Sequence, residues 1–177
     1  MSIPSIHKER AQKSANVFIV TCSTSKAEQK TRGLPVDDPS GDDIEKLMRE
    51  AGHRVTGRAL IPDRVGLLRR TVRKALKSEA EAVIITGGTG IAPSDVTIEG
   101  VAPLLEKDIP GFGELFRKIS YDKIGSAAMM SRATAGVVKG KVVFCLPGSP
   151  DGVKTAVREL ILPELGHVLS IAKQGSS

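Results

Sequence analysis

Apolar residues recur along this chain with two periods that alternate, and the alternation predicts the elements. Val17, Phe18, Ile19 and Val20 form a short β-branched and aromatic run that reads as a first strand. Residues 26–39 are rich in charge and turn formers and read as a loop. Ser40 is placed to cap a helix over residues 41–51, whose Ile44, Leu47, Met48 and Ala51 fall on one face, with Gly52 as its stop. Residues 54–61 read as a second strand. A helix over residues 64–79 follows, with Val65, Leu68, Val72, Ala75 and Leu76 as its buried stripe. Residues 82–86 are a third strand, continuously apolar and therefore covered on both faces. A helix over 97–107, short helices over 114–120 and 124–130, two strands over 133–138 and 142–146 joined by Lys139-Gly140, and a last helix over 151–172 complete the reading. Strand–helix alternation through the first two thirds predicts a three-layer α/β/α fold. Its central sheet is mostly parallel, with a late antiparallel hairpin. No linker divides the chain, so residues 15–173 are expected to form a single domain. Residues 1–14 would be a flexible basic extension and 174–177 a tail.

The third strand opens into Gly87-Gly88-Thr89-Gly90. Glycines at a strand's carboxyl end let backbone N–H groups converge on an anion. No Gly-Lys-Ser/Thr follows, so this is not a nucleoside-triphosphate P-loop, and Pro93 occupies the place of the third glycine of a dinucleotide fingerprint. On its own the stretch is equally a tight turn of an α/β sheet. Asp63, after the second strand, and Asp95, after the glycine loop, are the candidate pair for Mg²⁺, which takes oxygen ligands and commonly only one or two carboxylates. Both are equally placed to cap the helices that follow them. Asp37, Asp38, Asp42 and Asp43 offer competing acid clusters, which a solvated loop explains equally well. Ligands of open α/β sheets gather outside the strands' carboxyl ends. That adds Ser23, Thr24 and the Gly148-Ser149 turn to the candidates.

Composition narrows the classes. The 177 residues carry 26 Lys and Arg against 20 Asp and Glu, a net charge of +6. One Tyr, four Phe and no Trp leave no aromatic platform for nucleic acid, so the charge better suits small polyanions. No apolar run approaches the roughly 20 residues of a membrane span, and the N-terminus lacks a signal-peptide core, so a cytoplasmic protein is expected. Cys22 and Cys145 lie in apolar runs and read as inert buried thiols, while His7, His53 and His167 form no zinc pattern. No activated nucleophile is evident, and phosphoryl or nucleotidyl transfer needs none.

Taken in order, Pro39-Ser40-Gly41, Leu60-Ile61-Pro62-Asp63, Ile85-Thr86-Gly87-Gly88-Thr89-Gly90, Asp95-Val96-Thr97, Ile109 to Glu114, Ser131-Arg132 and Leu146 to Pro150 resemble the MoaB/MogA family of molybdenum cofactor biosynthesis. The resemblance spans about residues 15–170. It implies a molybdopterin-binding fold and a homotrimer or homohexamer. It also implies Mg²⁺-dependent adenylylation of molybdopterin by ATP, with release of pyrophosphate and hand-over to a metal-insertion protein, for a molybdenum or tungsten cofactor. The alternative within the resemblance is a non-catalytic molybdopterin carrier. Some MoaB-like members lack the aspartates; this chain keeps both. By resemblance, Asp63 and Asp95 are the catalytic, metal-organising residues. Gly87, Gly88, Thr89 and Gly90 are the phosphate loop, and Ser40, Gly41, Ser131, Pro147, Gly148 and Ser149 are further substrate contacts. Glu114 matches a family position without a defined role.

Overall fold

The computed structural model describes residues 12–174. The expected extension therefore lies largely, and the tail mostly, outside the described residues. Six strands form one sheet in the order β2-β1-β3-β6-β5-β4. They are β1 (Asn16–Cys22), β2 (Arg54–Ile61), β3 (Ala82–Thr86), β4 (Lys107–Asp108), β5 (Thr134–Val138) and β6 (Lys141–Leu146). The pairs β1–β2, β1–β3 and β3–β6 are parallel; β5–β6 and β4–β5 are antiparallel. The expected mostly parallel sheet with a late hairpin is thus the observed one. The hairpin turns on Lys139 and Gly140, both at positive φ (49° and 70°), the geometry that matches the twist of the flanking strands.

The helices are α1 (Thr24–Thr31), α2 (Pro39–Glu50), α3 (Val65–Lys77), α4 (Thr97–Val101), α5 (Pro110–Ile124), α6 (Pro150–Ala156) and α7 (Leu162–Ala172). A wide turn at Val157–Ile161 joins the last two into one continuous stretch, and Pro163, which has no N–H to donate, follows it. Successive side chains of a strand face opposite ways, so the sheet builds two cores. Val17, Ile19, Ile84, Phe144 and Leu146 pack beneath α2, α5 and the C-terminal helices. Val20, Val83, Ile85 and Val143 pack beneath α3 and α4, against Leu68, Val72 and Val101. Phe112 of α5 meets Phe144 with ring centroids 5.2 Å apart and planes tilted by 56°.

Several details correct the sequence reading. The 26–39 loop contains most of α1, which buries no residue and so carries no hydrophobic stripe to reveal it. Asp38, not Ser40, caps α2: its side chain accepts from the Gly41 N–H, and Pro39 takes the first helical turn. One fifteen-residue helix, α5, replaces the first short helix and the start of the second, because burial of Phe112 and Phe116 overrides the local Pro-Gly-Phe-Gly turn signal. A 3₁₀ segment, Gly125–Met130, follows it.

Candidate active site

The glycine loop and both candidate aspartates lie at the carboxyl edge of the parallel strands. Strand β1 sits between β2 and β3, so the chain leaves it in opposite directions on its two sides, and a crevice opens where the connections diverge. A cleft of about 410 Å³ occupies that edge. Its lining includes Ser40, Asp63, Gly87, Gly88, Asp95 and Gly148 of the sequence-derived set.

Asp63 does not cap α3. Arg64 occupies that position and makes no side-chain cap. The Asp63 carboxylate turns instead to the start of α1, where Oδ2 accepts from the N–H and the hydroxyl of Thr24, each at 2.8 Å. Its Oδ1 takes no hydrogen bond among the described residues. Nor does Asp95 cap α4, which begins after Val96 without a side-chain cap. Asp95 Oδ2 accepts from the Ala92 N–H at 2.9 Å, and its Oδ1 likewise has no partner among the described residues. Both carboxylates press on the glycine loop. A Cβ on Gly88 would lie 2.7 Å from Asp63 Oδ1, and one on Gly90 would lie 2.6 Å from Asp95 Oδ2. Only glycine admits this approach.

The loop itself has an ordered backbone. The Thr97 hydroxyl donates to Gly87 O at 2.7 Å, and the Thr97 N–H donates to Gly88 O at 2.8 Å. In a trans peptide the C=O and the following N–H point in opposite directions. Holding those two carbonyls at Thr97 therefore turns the Gly88 and Thr89 N–H groups the other way. The N–H groups of Gly88, Thr89, Gly90 and Ile91 have no acceptor among the described residues. Such a run of unsatisfied donors has the geometry to receive an anion. The Thr89 side chain is not part of that surface: it is buried, and its hydroxyl reaches Leu146 O at 3.4 Å.

A third carboxylate in the cleft, Asp38, is saturated. Its Oδ2 accepts from the Thr21 hydroxyl (2.7 Å) and from Arg58 (2.9 Å), and its Oδ1 accepts from the Gly41 N–H (3.2 Å). With its side chain 11% exposed, Asp38 is a structural anchor, in contrast to Asp63 and Asp95. Gly41 packs against that carboxylate and Arg58 rather than lining the cleft. In the sequence Asp38 is equally a member of a competing acid cluster or of a solvated loop; its anchoring role was missed, although Asp-Pro at a helix start is itself a capping signal. Lys26 is the cation among the lining residues, and nothing in its local sequence marked it.

The Pro147–Pro150 turn separates this cleft from a second cavity of about 340 Å³. Ser131, Pro147 and Ser149 line that cavity, together with Phe116, Lys123 and Ile124. The Ser40 hydroxyl donates to Gly148 O (2.8 Å) and the Thr86 hydroxyl to Pro147 O (2.8 Å), fixing the turn between the two spaces. Of the expected contacts, Ser131, Pro147 and Ser149 thus belong to the second cavity. Glu114 is in neither; it lines a separate groove with Arg117 and Arg132.

Two oxygen donors with free lone pairs, set against an anion cradle, fit a hard cation that completes its shell with phosphate and water. No cluster of three or more His, Cys, Asp or Glu side chains suited to a metal occurs among the described residues, so a soft or fully protein-caged metal does not fit. Cys22 lines the cleft but supplies no thiolate: burial pushes its thiol up to about 12. Cys145 is driven up further by complete burial. No helix among the described residues is long and apolar enough to cross a membrane.

Residues 18–167 match the family described as "Probable molybdopterin binding domain". The molybdenum cofactor biosynthesis protein B of Bacillus cereus is 45% identical over 164 residues, 92% of this chain and 93% of that protein. A Methanocaldococcus jannaschii protein described as "Probable molybdopterin adenylyltransferase" is 35% identical over 164 residues, 92% of this chain and 97% of that one. Among solved structures, the tungsten cofactor synthesizing protein MoaB from Pyrococcus furiosus superposes with a TM-score of 0.82 at 35% identity. The match covers 93% of this chain and 100% of the other.

Proposed function

The chain belongs to the MoaB/MogA family of molybdopterin-binding proteins of molybdenum cofactor biosynthesis, and from that premise we propose that it transfers the adenylyl group of ATP to molybdopterin. One observation carries the reading. Asp63 and Asp95, each with one carboxylate oxygen free of hydrogen bonds among the described residues, flank a glycine loop whose successive N–H groups have no acceptor there either.

In this reaction a terminal phosphate oxygen of molybdopterin attacks the α-phosphorus of ATP. A new P–O bond forms, the bond from the α-phosphorus to the bridging oxygen breaks, and pyrophosphate leaves with the electron pair. A phosphate monoester is mostly dianionic at neutral pH, so the nucleophile needs no protein base. That agrees with a cleft lined by no histidine and no thiolate. The protein's work is positioning and charge management. The loop N–H groups hold phosphate oxygens, Lys26 adds a positive charge, and the Pro147–Pro150 turn separates a phosphate cleft from a more apolar cavity suited to the pterin. Ser131 and Ser149 offer hydroxyls to that ring. Charge neutralisation on the departing pyrophosphate is supplied by Mg²⁺ when bound, and Asp63 and Asp95 would hold it.

The acceptor of the adenylylated product would be a metal-insertion protein, for molybdenum or tungsten. Tyr121, Ile124, Met129 and Met130 are exposed on α5 and the turn after it. This apolar strip supports self-association; the homotrimer or homohexamer of the proposal is checked by light scattering, and its cytoplasmic location by cell fractionation. The function is tested by mixing the protein with ATP, Mg²⁺ and molybdopterin and following pyrophosphate. Release that requires the pterin supports the transferase. Pterin binding with no pyrophosphate would leave a carrier and sink the catalytic reading.

A further inference from the structure

We propose that Arg132 is a positioning residue that sets the phosphate cradle, acting through the backbone of the glycine loop. The proposal rests on the phosphate-binding reading of that loop. Arg132 lies just before β5, remote in sequence from residues 87–95. Its Nε donates to Thr89 O at 3.3 Å and its Nη2 approaches Asp95 O at 3.5 Å. The same guanidinium pairs with Glu99 on α4 through both nitrogens of its fork, with Nη2 3.3 Å from Oε2. Its side chain is only 31% exposed.

The geometry gives this contact a direction. Thr97 holds the Gly87 and Gly88 carbonyls; Arg132 takes the next, that of Thr89. The peptide plane then sends the Gly90 N–H away from the guanidinium. Three consecutive carbonyls are thus fastened on one side, and three consecutive N–H groups, those of Gly88, Thr89 and Gly90, are left on the other. The contact to Asp95 O draws the end of the loop to the same group, so the backbone that carries the Asp95 carboxylate is tied to the backbone that carries the N–H donors. The Glu99 pair fixes the guanidinium in plane. A planar fork with five donors can serve two carbonyls and a carboxylate together; an ammonium cannot do so in the same geometry. Arg132 also links the loop to Ser131, whose carbonyl accepts from Arg117 at 3.3 Å.

The test uses full-length protein and ATP as the probe, with Mg²⁺ present and pterin absent. ATP affinity is measured by calorimetry for the wild type, Arg132→Met, Arg132→Lys and Glu99→Gln, alongside thermal unfolding. Arg132→Met is expected to weaken ATP binding about tenfold or more, and Arg132→Lys to recover part of the loss. Glu99→Gln, which keeps a hydrogen-bond acceptor, is expected to cost less than about threefold. Asp95→Asn combined with Arg132→Met is expected to be less than additive in ATP affinity, because both act on one loop. ATP binding by folded Arg132→Met equal to wild type, or strict additivity with Asp95→Asn, would overturn the proposal. Should Arg132→Met not fold, Arg132→Lys and the cycle of Arg132→Lys with Asp95→Asn decide the point by the same criteria. If the wild type binds ATP in an Arg132-dependent way yet never releases pyrophosphate, the clamp stands and the transferase reading alone fails.

Discussion

Asp63 and Thr24 hold each other in a closed ring of hydrogen bonds. The Thr24 N–H and hydroxyl both donate to Asp63 Oδ2, while the Asp63 N–H donates back to Thr24 Oγ1 at 3.0 Å. The ring joins the end of β2 to the start of α1 and leaves Asp63 Oδ1 to the cleft. Thr24→Val keeps the shape and removes the hydroxyl. Loss of the two bonds made by that hydroxyl is expected to cost about 1–3 kcal/mol in stability. It should also slow adenylyl transfer about tenfold, since a carboxylate that rotates no longer presents one oxygen. Unfolding by denaturant together with steady-state kinetics checks both numbers.

Added bulk at Gly88 should strike the cleft directly. Its φ is 62°, and a Cβ would fall 2.7 Å from both Asp63 Oδ1 and Thr97 Oγ1. Gly88→Ala should abolish measurable ATP binding and destabilise the fold by more than about 1 kcal/mol. Gly66, on the exposed side of α3 with open space around it, is the control. Gly66→Ala should leave binding unchanged and stabilise by up to about 1 kcal/mol.

His53 gives the fold a dependence on pH. Its Nδ1 accepts from the Ala15 N–H at 3.1 Å, which requires the neutral ring, and burial holds its pKa below the ordinary 6.5. Between the folded and unfolded values the unfolded chain binds more protons, so stability rises with pH there. This contribution is complete above pH 6.5 and is lost as pH falls through the lower folded value. Thermal unfolding of wild type should therefore decline below about pH 6.5 more steeply than that of His53→Gln; parallel curves would contradict the assignment.

Leu68 fills the core between α3 and the sheet, fully buried. Leu68→Ala should cost about 2–5 kcal/mol. ATP affinity of the remaining folded protein should change little, because Leu68 faces the core and not the cleft. Denaturant unfolding and calorimetry separate the two effects.

Most of the sheet was legible from its sequence pattern: the boundaries read for β2 and β3 coincide with those observed, although β2 buries only Ile61, and the parallel pattern followed from the alternation. The two exposed residues of β4 carried no such signal, and the sequence placed Lys107 in a helix. Helix α1 was not legible, since it buries no residue and the element depends on Ser23 and on Asp63, 39 positions from Thr24. At the site, the glycine loop announced itself through composition, and the two aspartates through their placement beyond strand ends. The distinction between Asp38 and those two could not be read locally. It depends on Arg58 from β2 and Thr21 from β1, which reach Asp38 only after the sheet has formed. Arg132 stood in one of the family-like blocks, but its role was silent for the same reason: its partners, Thr89, Asp95 and Glu99, lie 43, 37 and 33 positions away in sequence.

The most direct test of adenylyl transfer follows the α-phosphate itself. ATP labelled at that phosphate is incubated with molybdopterin and Mg²⁺ in the presence of wild type, Asp63→Asn or Asp95→Asn. Label should pass to the pterin with wild type and fall by about 100-fold or more with either variant, while ATP binding by the phosphate loop is weakened but still measurable in both. Equal labelling by wild type and both variants, or no labelling by a wild type that binds both substrates, would contradict it.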